Sequence, residues 1–225
     1  MKQAKGFPEA WRATNYTAAH QYDFQEFLAN PDLYDERLRA LHVASGDKPF
    51  LATEICLNDG QYQEASYRLA LQVGQLYQKD LAEADAEMLL YCWLLLDVEQ
   101  PNFGASRSLL VPDRTQGQVP VPSSFQLRVL GAYSRHVLRG MHRVGADANN
   151  GNLLPVAFTD GKRNTLIVLN RSTSAQRLAV QWPGTRWTEV ERTSFYAQNQ
   201  VASPAGDIIV EPGEIVTLSN FAAAK

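Results

Sequence analysis

The stretch MLLYCWLLL at residues 88–96 is apolar throughout. Such a run favours a parallel strand covered on both faces, because a strand with one face in water alternates apolar and polar residues. Upstream, PFLATEIC at 49–56 also has strand character, and residues 65–82 between the two carry an apolar helical face. Strand, helix and strand in this order predict a βαβ unit with parallel strands.

The flanking sequence extends this alternation in both directions. TAAHQYD at 17–23 predicts an earlier strand, and a helix then begins at Asn30 and Pro31 and ends at Gly46. After 88–96, a loop rich in Gly, Pro and Asn precedes a helix predicted from Ser123 to about residue 139. The N-terminal region therefore contains three strand–helix units.

From residue 141 the pattern changes to short alternating segments separated by turn dipeptides such as Asp160-Gly161 and Pro212-Gly213. Seven short strands are predicted, at MHRVGA, LLPVAF, TLIVLN, RLAVQW, WTEVERTSFY, DIIV and EIVTLS. Short strands at this spacing are typical of an antiparallel β-sandwich.

The predicted fold class is α/β followed by all-β. Three parallel strands cannot close a barrel, and a complete (β/α)8 barrel takes about 250 residues. We therefore expect residues 1–140 to be the last three strand–helix units of a (β/α)8 barrel and 141–225 to be a β-sandwich. The other strands would belong to a missing N-terminal barrel half.

The composition excludes several classes of partner. The 225 residues carry a net charge of −3, which offers no basic field for a nucleic acid or an anionic membrane. The longest apolar run, 88–96, is too short for a membrane span. Two cysteines, Cys56 and Cys92, give neither a disulfide framework nor zinc-ligand spacing. The sequence does not decide the cellular compartment, and a secreted or periplasmic location of the parent protein is one of the alternatives.

Glu54 is the main candidate for chemistry because it lies near the C-terminal end of a predicted buried strand. Active sites of (β/α)8 barrels form at that end. Strand alternation predicts that Glu54 shares a face with Phe50, Ala52 and Cys56. The alternative is a structural Glu that caps the strand end or pairs with an Arg.

Three further residues could form a sugar site around Glu54. His20 and Tyr22, two apart on one predicted strand, could bond a sugar hydroxyl or hold a neighbouring carboxylate ionised. Trp93 could offer its indole face to a pyranose ring. The alternatives are a polar rim for His20 and core packing for Trp93. Polar loop residues that could bond sugar hydroxyls are Asn58, Asp59, Gln61, Asn102 and Arg107.

Several segments together resemble glycoside hydrolase family 30. HQYD, NPDLYDERLRALH, KPFLATEICLND and LLYCWLLL are similar to its barrel strands six to eight. FQLRVLGAYSRHVLRGMHRV resembles its last barrel helix and the passage into the side sandwich. NTLIVLNRSTSAQRLAVQW and IIVEPGEIVTLSN resemble the sandwich strands. The likeness covers nearly this whole chain, but only the C-terminal part of such an enzyme.

The resemblance implies a retaining glycosidase that acts on β-linked oligo- or polysaccharides without metal or organic cofactor. It places the nucleophile at Glu54 and substrate-binding residues at His20, Tyr22 and Trp93. The family's acid/base Glu follows an Asn on strand four, and no Asn-Glu pair occurs in this sequence. The alternative function is a non-catalytic carbohydrate-binding or structural sandwich module with a barrel remnant.

Overall fold

A computed structural model describes residues 5–55, 67–94, 108–113, 119–121 and 125–223. The chain divides into two compact units, Met1–Pro122 and Ser123–Lys225. No helix in the described ranges combines the length and the hydropathy needed to cross a membrane.

The first unit is a mixed α/β structure. Its helices are α1 (Pro8–Ala13), α2 (Asp35–Ser45) and α3 (Tyr67–Glu83), with 3-10 turns at Tyr22–Phe27 and Pro31–Tyr34. Its strands are β1 (Thr17–His20), β2 (Phe50–Ile55), β3 (Ala86–Tyr91), β4 (Val111–Asp113) and β5 (Val119–Val121). The predicted order of strands and helices is confirmed, and β4 and β5 pair within the region predicted as a long loop.

A three-stranded parallel sheet lies at the centre of this unit, in the order β1-β2-β3. One face packs against α2 and α3 and buries Phe50, Ala52 and Ile55, each at most 2% exposed. The apolar stripe of α3 that completes this core includes Leu69, Val73 and Leu76. Burial of these side chains, about 1.5–3 kcal/mol each relative to exposure, holds the sheet to its helices.

The opposite face of the sheet is open among the described residues. Met88 is 45% exposed and Leu90 46%, and Ala18 on β1 is also exposed. In this chain the third strand is covered on one face, which α2 and α3 both contact. Cover of its second face by the rest of a barrel stays a prediction. The strand is also shorter than predicted and ends at Tyr91.

The second unit combines one helix with antiparallel sheets. Helix α4 spans Phe125–Ser134, within the predicted helix, and Gly140 has a φ of 89°, which favours glycine. The strands are β6 (His142–Val144), β7 (Leu153–Thr159), β8 (Asn164–Asn170), β9 (Gln176–Leu178), β10 (Glu189–Thr193), β11 (Gln200–Ala202), β12 (Ile208–Val210) and β13 (Ile215–Ser219). All seven predicted strands are present, and β11 is an eighth.

Six of these strands form one sheet in the order β11-β10-β13-β8-β7-β6, while β12 pairs with β9. Their apolar core includes Val168, Val210 and Leu218. Helix α4 is tied to the large sheet by Thr217, whose Oγ1 donates to the carbonyl of Ala132 at 3.0 Å.

Candidate active site

A β-bulge in β2 decides where the Glu54 side chain points. Ala19 pairs with Ala52 but His20 pairs with Glu54, so β2 has one residue more than β1 in this interval. The pairing with β3 shows the same extra residue between Ala52 and Ile55. The bulge breaks the alternation of faces, as bulges near functional sites commonly do.

The expectation that Glu54 shares a face with Phe50 and Ala52 is therefore wrong. The bulge brings Ile55 onto the buried face instead, with 0% exposure. The Glu54 side chain stays 25% exposed and faces His20. Cys56, the third residue of that expectation, lies outside the described residues.

Three side chains surround the Glu54 carboxylate. Nδ1 of His20 lies 2.7 Å from Oε2 of Glu54. Tyr22 and Cys92 each form a side-chain hydrogen bond with the same carboxylate. An ionised carboxylate only accepts hydrogen bonds, so the phenol, the thiol and Nδ1–H of the imidazole are the donors.

Each partner is brought to Glu54 by a different element. His20 ends β1, whereas Tyr22 begins the 3-10 turn, so the prediction that both lie on one strand is wrong. Gln21, between these two residues, is fully buried, and its side-chain amide donates to the buried carboxyl group of Asp80. The two rings still meet edge-on, with centroids 5.5 Å apart.

These contacts set the charge of the site. Hydrogen bonds from Tyr22 and Cys92 have the largest effects and lower the pKa of Glu54. Burial opposes them by less, and the nearby His20 adds the smallest lowering effect. Hydrogen bonds to the charged form favour that form. Glu54 is therefore held as a carboxylate, the form in which it can act as a nucleophile.

Cys92 is the contact that sequence reasoning missed. Its backbone N–H donates to the carbonyl of Ile55 at 3.0 Å, which places it beside the end of β2. In the sequence it stands within an apolar run, where a cysteine resembles an ordinary core residue. Its position one residue before Trp93, at the end of a strand parallel to that of Glu54, was the available signal.

The structure places Trp93 just after β3, half-buried, with its carbonyl accepting from the N–H of Leu109 at 3.0 Å. A stacking role for its indole stays a prediction. The polar loop residues Asn58, Asp59, Gln61, Asn102 and Arg107 lie outside the described residues.

The described part of the site contains donors to Glu54 but no second carboxylate that shifts its pKa. Among the residues that the structure describes, no cluster of three or more His, Cys, Asp or Glu side chains is suited to a metal ion. The arrangement holds Glu54 as a charged carboxylate that accepts hydrogen bonds from its neighbours.

Comparison with known proteins gives a likeness of fold. No family model matches the chain, and no curated protein matches it. Among solved structures, it superposes on a conserved exported protein from Bacteroides fragilis with a TM-score of 0.74 at 17% identity, covering 91% of this chain and 46% of that one.

Other similar structures include glycoside hydrolases. A family 30 endoxylanase from Clostridium papyrosolvens gives a TM-score of 0.64 at 14% identity, over 95% of this chain and 50% of the enzyme. A β-porphyranase of glycoside hydrolase family 86 from Bacteroides plebeius gives 0.58 at 15% identity, over 94% and 42%. This chain thus spans about half the length of each, and the neighbours extend beyond family 30.

Proposed function

We propose that this chain is the C-terminal part of a retaining glycosidase for β-linked glycosides, of the family 30 kind. Residues 1–140 would form the last three strand–helix units of a barrel, and 141–225 a side sandwich. The observation that carries the proposal is the Glu54 carboxylate, held by His20, Tyr22 and Cys92 at the C-terminal end of a parallel strand.

In this mechanism an oxygen of Glu54 attacks the anomeric carbon, and the bond to the leaving oxygen breaks. A second carboxyl about 5–5.5 Å away protonates that oxygen and later activates the water that releases the sugar. This acid/base carboxyl would belong to the missing N-terminal barrel half. Trp93 would support the sugar ring beside the cleaved bond.

The test uses 2-deoxy-2-fluoro-β-glycosyl fluorides of glucose, xylose and galactose, because fluoride departs without protonation. The carbon–fluorine bond at the anomeric centre breaks as the Glu54 ester forms. Intact-mass and peptide analysis should find one sugar on Glu54 in the wild-type protein and none in Glu54→Gln.

Glu83→Gln is the matched control, since Glu83 pairs with Arg39 at 2.6 Å on the helices of the same unit. This variant should be labelled on Glu54 as the wild type is. Labelling of a carboxylate other than Glu54 would show that Glu54 is not the nucleophile.

A further inference from the structure

Three aromatic rings form a continuous ridge where helix α4 meets the hairpin between β10 and β11. Phe195 stacks on Phe125 with centroids 5.4 Å apart, and Tyr196 meets Phe195 edge-on at 5.0 Å. Phe195 is 54% exposed and Tyr196 88%. The outer half of this aromatic ridge, defined by Phe125, Phe195 and Tyr196, therefore stands in solvent.

The hairpin that carries the ridge is held by hydrogen bonds. Oγ of Ser194 accepts from the backbone N–H of Tyr196 at 3.2 Å and of Ala197 at 3.0 Å. Nδ2 of Asn199 donates to the carbonyl of Arg128 at 3.1 Å and to the buried Glu191 carboxylate at 2.7 Å. The rings are thus positioned before any ligand arrives, which lowers the entropy that binding costs.

Polar groups lie beside the rings. The Arg128 guanidinium sits over the Phe125 ring, 4.8 Å from its centroid. With the amide group of Gln198 oriented so that its oxygen faces Arg128, that oxygen accepts from Nη1 of Arg128 at 3.2 Å. The ridge therefore combines apolar ring faces with donors and acceptors, as a sugar ring requires with its C–H face and its hydroxyls.

The area of the ridge argues against a protein partner. A stable protein interface buries about 800 Å² per partner. An aromatic side chain buries about 150–250 Å² when it is fully covered, so the exposed parts of Phe195 and Tyr196 supply less than half of that area. A glycan chain is narrow enough to be bound by one or two rings with a few hydrogen bonds.

We propose that the aromatic ridge is a binding site for a β-linked polysaccharide chain. Tyr196 is its outermost platform, and Arg128 and Gln198 supply polar contacts. The choice of a glycan as ligand rests on the proposed function, whereas the ridge uses none of the residues around Glu54.

Native affinity electrophoresis of the 225-residue chain tests this site. The gels contain mixed-linkage β-glucan, xylan, carboxymethylcellulose or galactan, and a gel without polysaccharide is the reference. At least one polysaccharide should retard the wild type, and Tyr196→Ala should weaken the apparent affinity about tenfold. Tyr196→Phe, which keeps the ring, should restore most of it.

A control variant shows whether the retardation comes from the ridge. Tyr16→Ala removes another exposed tyrosine, 57% exposed, and should bind as the wild type does. The ridge is not the binding site if no gel retards the wild type, if Tyr196→Ala binds unchanged, or if Tyr16→Ala weakens binding as much as Tyr196→Ala does.

The same variants distinguish this proposal from the glycosidase proposal. Retardation that depends on Tyr196, with the fluoro-sugar on a carboxylate other than Glu54, would support the ridge and contradict Glu54 as the nucleophile. Labelling of Glu54 without retardation would support the glycosidase proposal and contradict the proposal that the ridge binds a polysaccharide.

Discussion

Nδ1 of His20 lies 2.7 Å from Oε2 of Glu54, and their backbones pair across β1 and β2 only because of the bulge in β2. Without the extra residue, His20 would stand opposite Thr53. One irregularity therefore both turns Glu54 away from the buried face and gives it a partner on the next strand. The site depends on backbone geometry as much as on the identity of its side chains.

Tyr22→Phe should raise the pKa of Glu54, because it removes the hydrogen bond that contributes most to lowering that pKa. Less of the reactive carboxylate then exists in acid, so the acidic limb of the fluoro-sugar labelling rate should move to higher pH. The measurement is the labelling rate between pH 4 and 8. Tyr16→Phe is the control, and an unchanged acidic limb in Tyr22→Phe would contradict the role of the phenol.

Cys92→Ala should shift the same limb in the same direction, since the thiol also donates to Glu54. Cys92→Ser keeps a donor at that position and should stay closer to the wild type. The alanine and serine side chains are similar in size, so a packing defect would affect the two variants alike. Equal shifts in the two variants would mean that packing, not the hydrogen bond, connects Cys92 to Glu54.

The sequence predicted the helices and strands well, but it did not predict the irregularities within them. The order of strand, helix and strand from 49 to 96 predicted parallel strands, because two parallel strands need a crossover connection between them and a helix is its usual form. The short alternating segments after residue 141 predicted seven strands that are present. These features depend on local patterns that a single sequence contains.

The site needed information that no local pattern carries. Strand alternation is interrupted by the bulge at Thr53 and Glu54, which is specified by pairing with two neighbouring strands. The turn at Tyr22 comes directly after Gln21, whose side chain bonds Asp80 in a contact between distant residues. Cys92 was overlooked because an apolar run gives a cysteine no visible polar partner.

Asp80 should make the stability of the first unit depend on pH. Its side chain is fully buried, and burial raises its pKa to about 8, against the opposing hydrogen bond from Gln21. The folded state therefore keeps a proton that the unfolded chain loses near pH 4. This stabilisation is complete below pH 4, declines as the pH rises, and is gone once the pH passes about 8.

The expected slope is about 1.4 kcal/mol per pH unit for this one group, between its unfolded and folded pKa values. Urea unfolding at pH 5, 6, 7 and 8 should show this dependence in the wild type relative to Asp80→Asn, which cannot titrate. Asp147→Asn, a change at an exposed carboxyl in the other unit, should leave the dependence intact. Parallel stability curves for wild type and Asp80→Asn would contradict the assignment.

The last prediction concerns the open face of the parallel sheet, where Met88 and Leu90 are 45% and 46% exposed. Contiguous apolar surface of this kind marks an interaction site or an aggregation hazard. Among the described residues, β1 and β3 are the outer strands of this sheet, and edge strands can provide a template for association. We therefore expect the 225-residue chain on its own to self-associate.

Light scattering after size-exclusion chromatography should show concentration-dependent oligomers, and Met88→Gln with Leu90→Gln should shift them towards the monomer. The matched control is Leu33→Gln with Val43→Gln, which removes apolar side chains of similar exposure, 62% and 74%, elsewhere in the same unit.

The chain should also fail to hydrolyse aryl β-glycosides with poor leaving groups, since general acid catalysis contributes about 10²–10⁴-fold. A stable wild-type monomer that cleaves such a glycoside, and loses this activity in Glu54→Gln, would show that the chain needs no N-terminal barrel half.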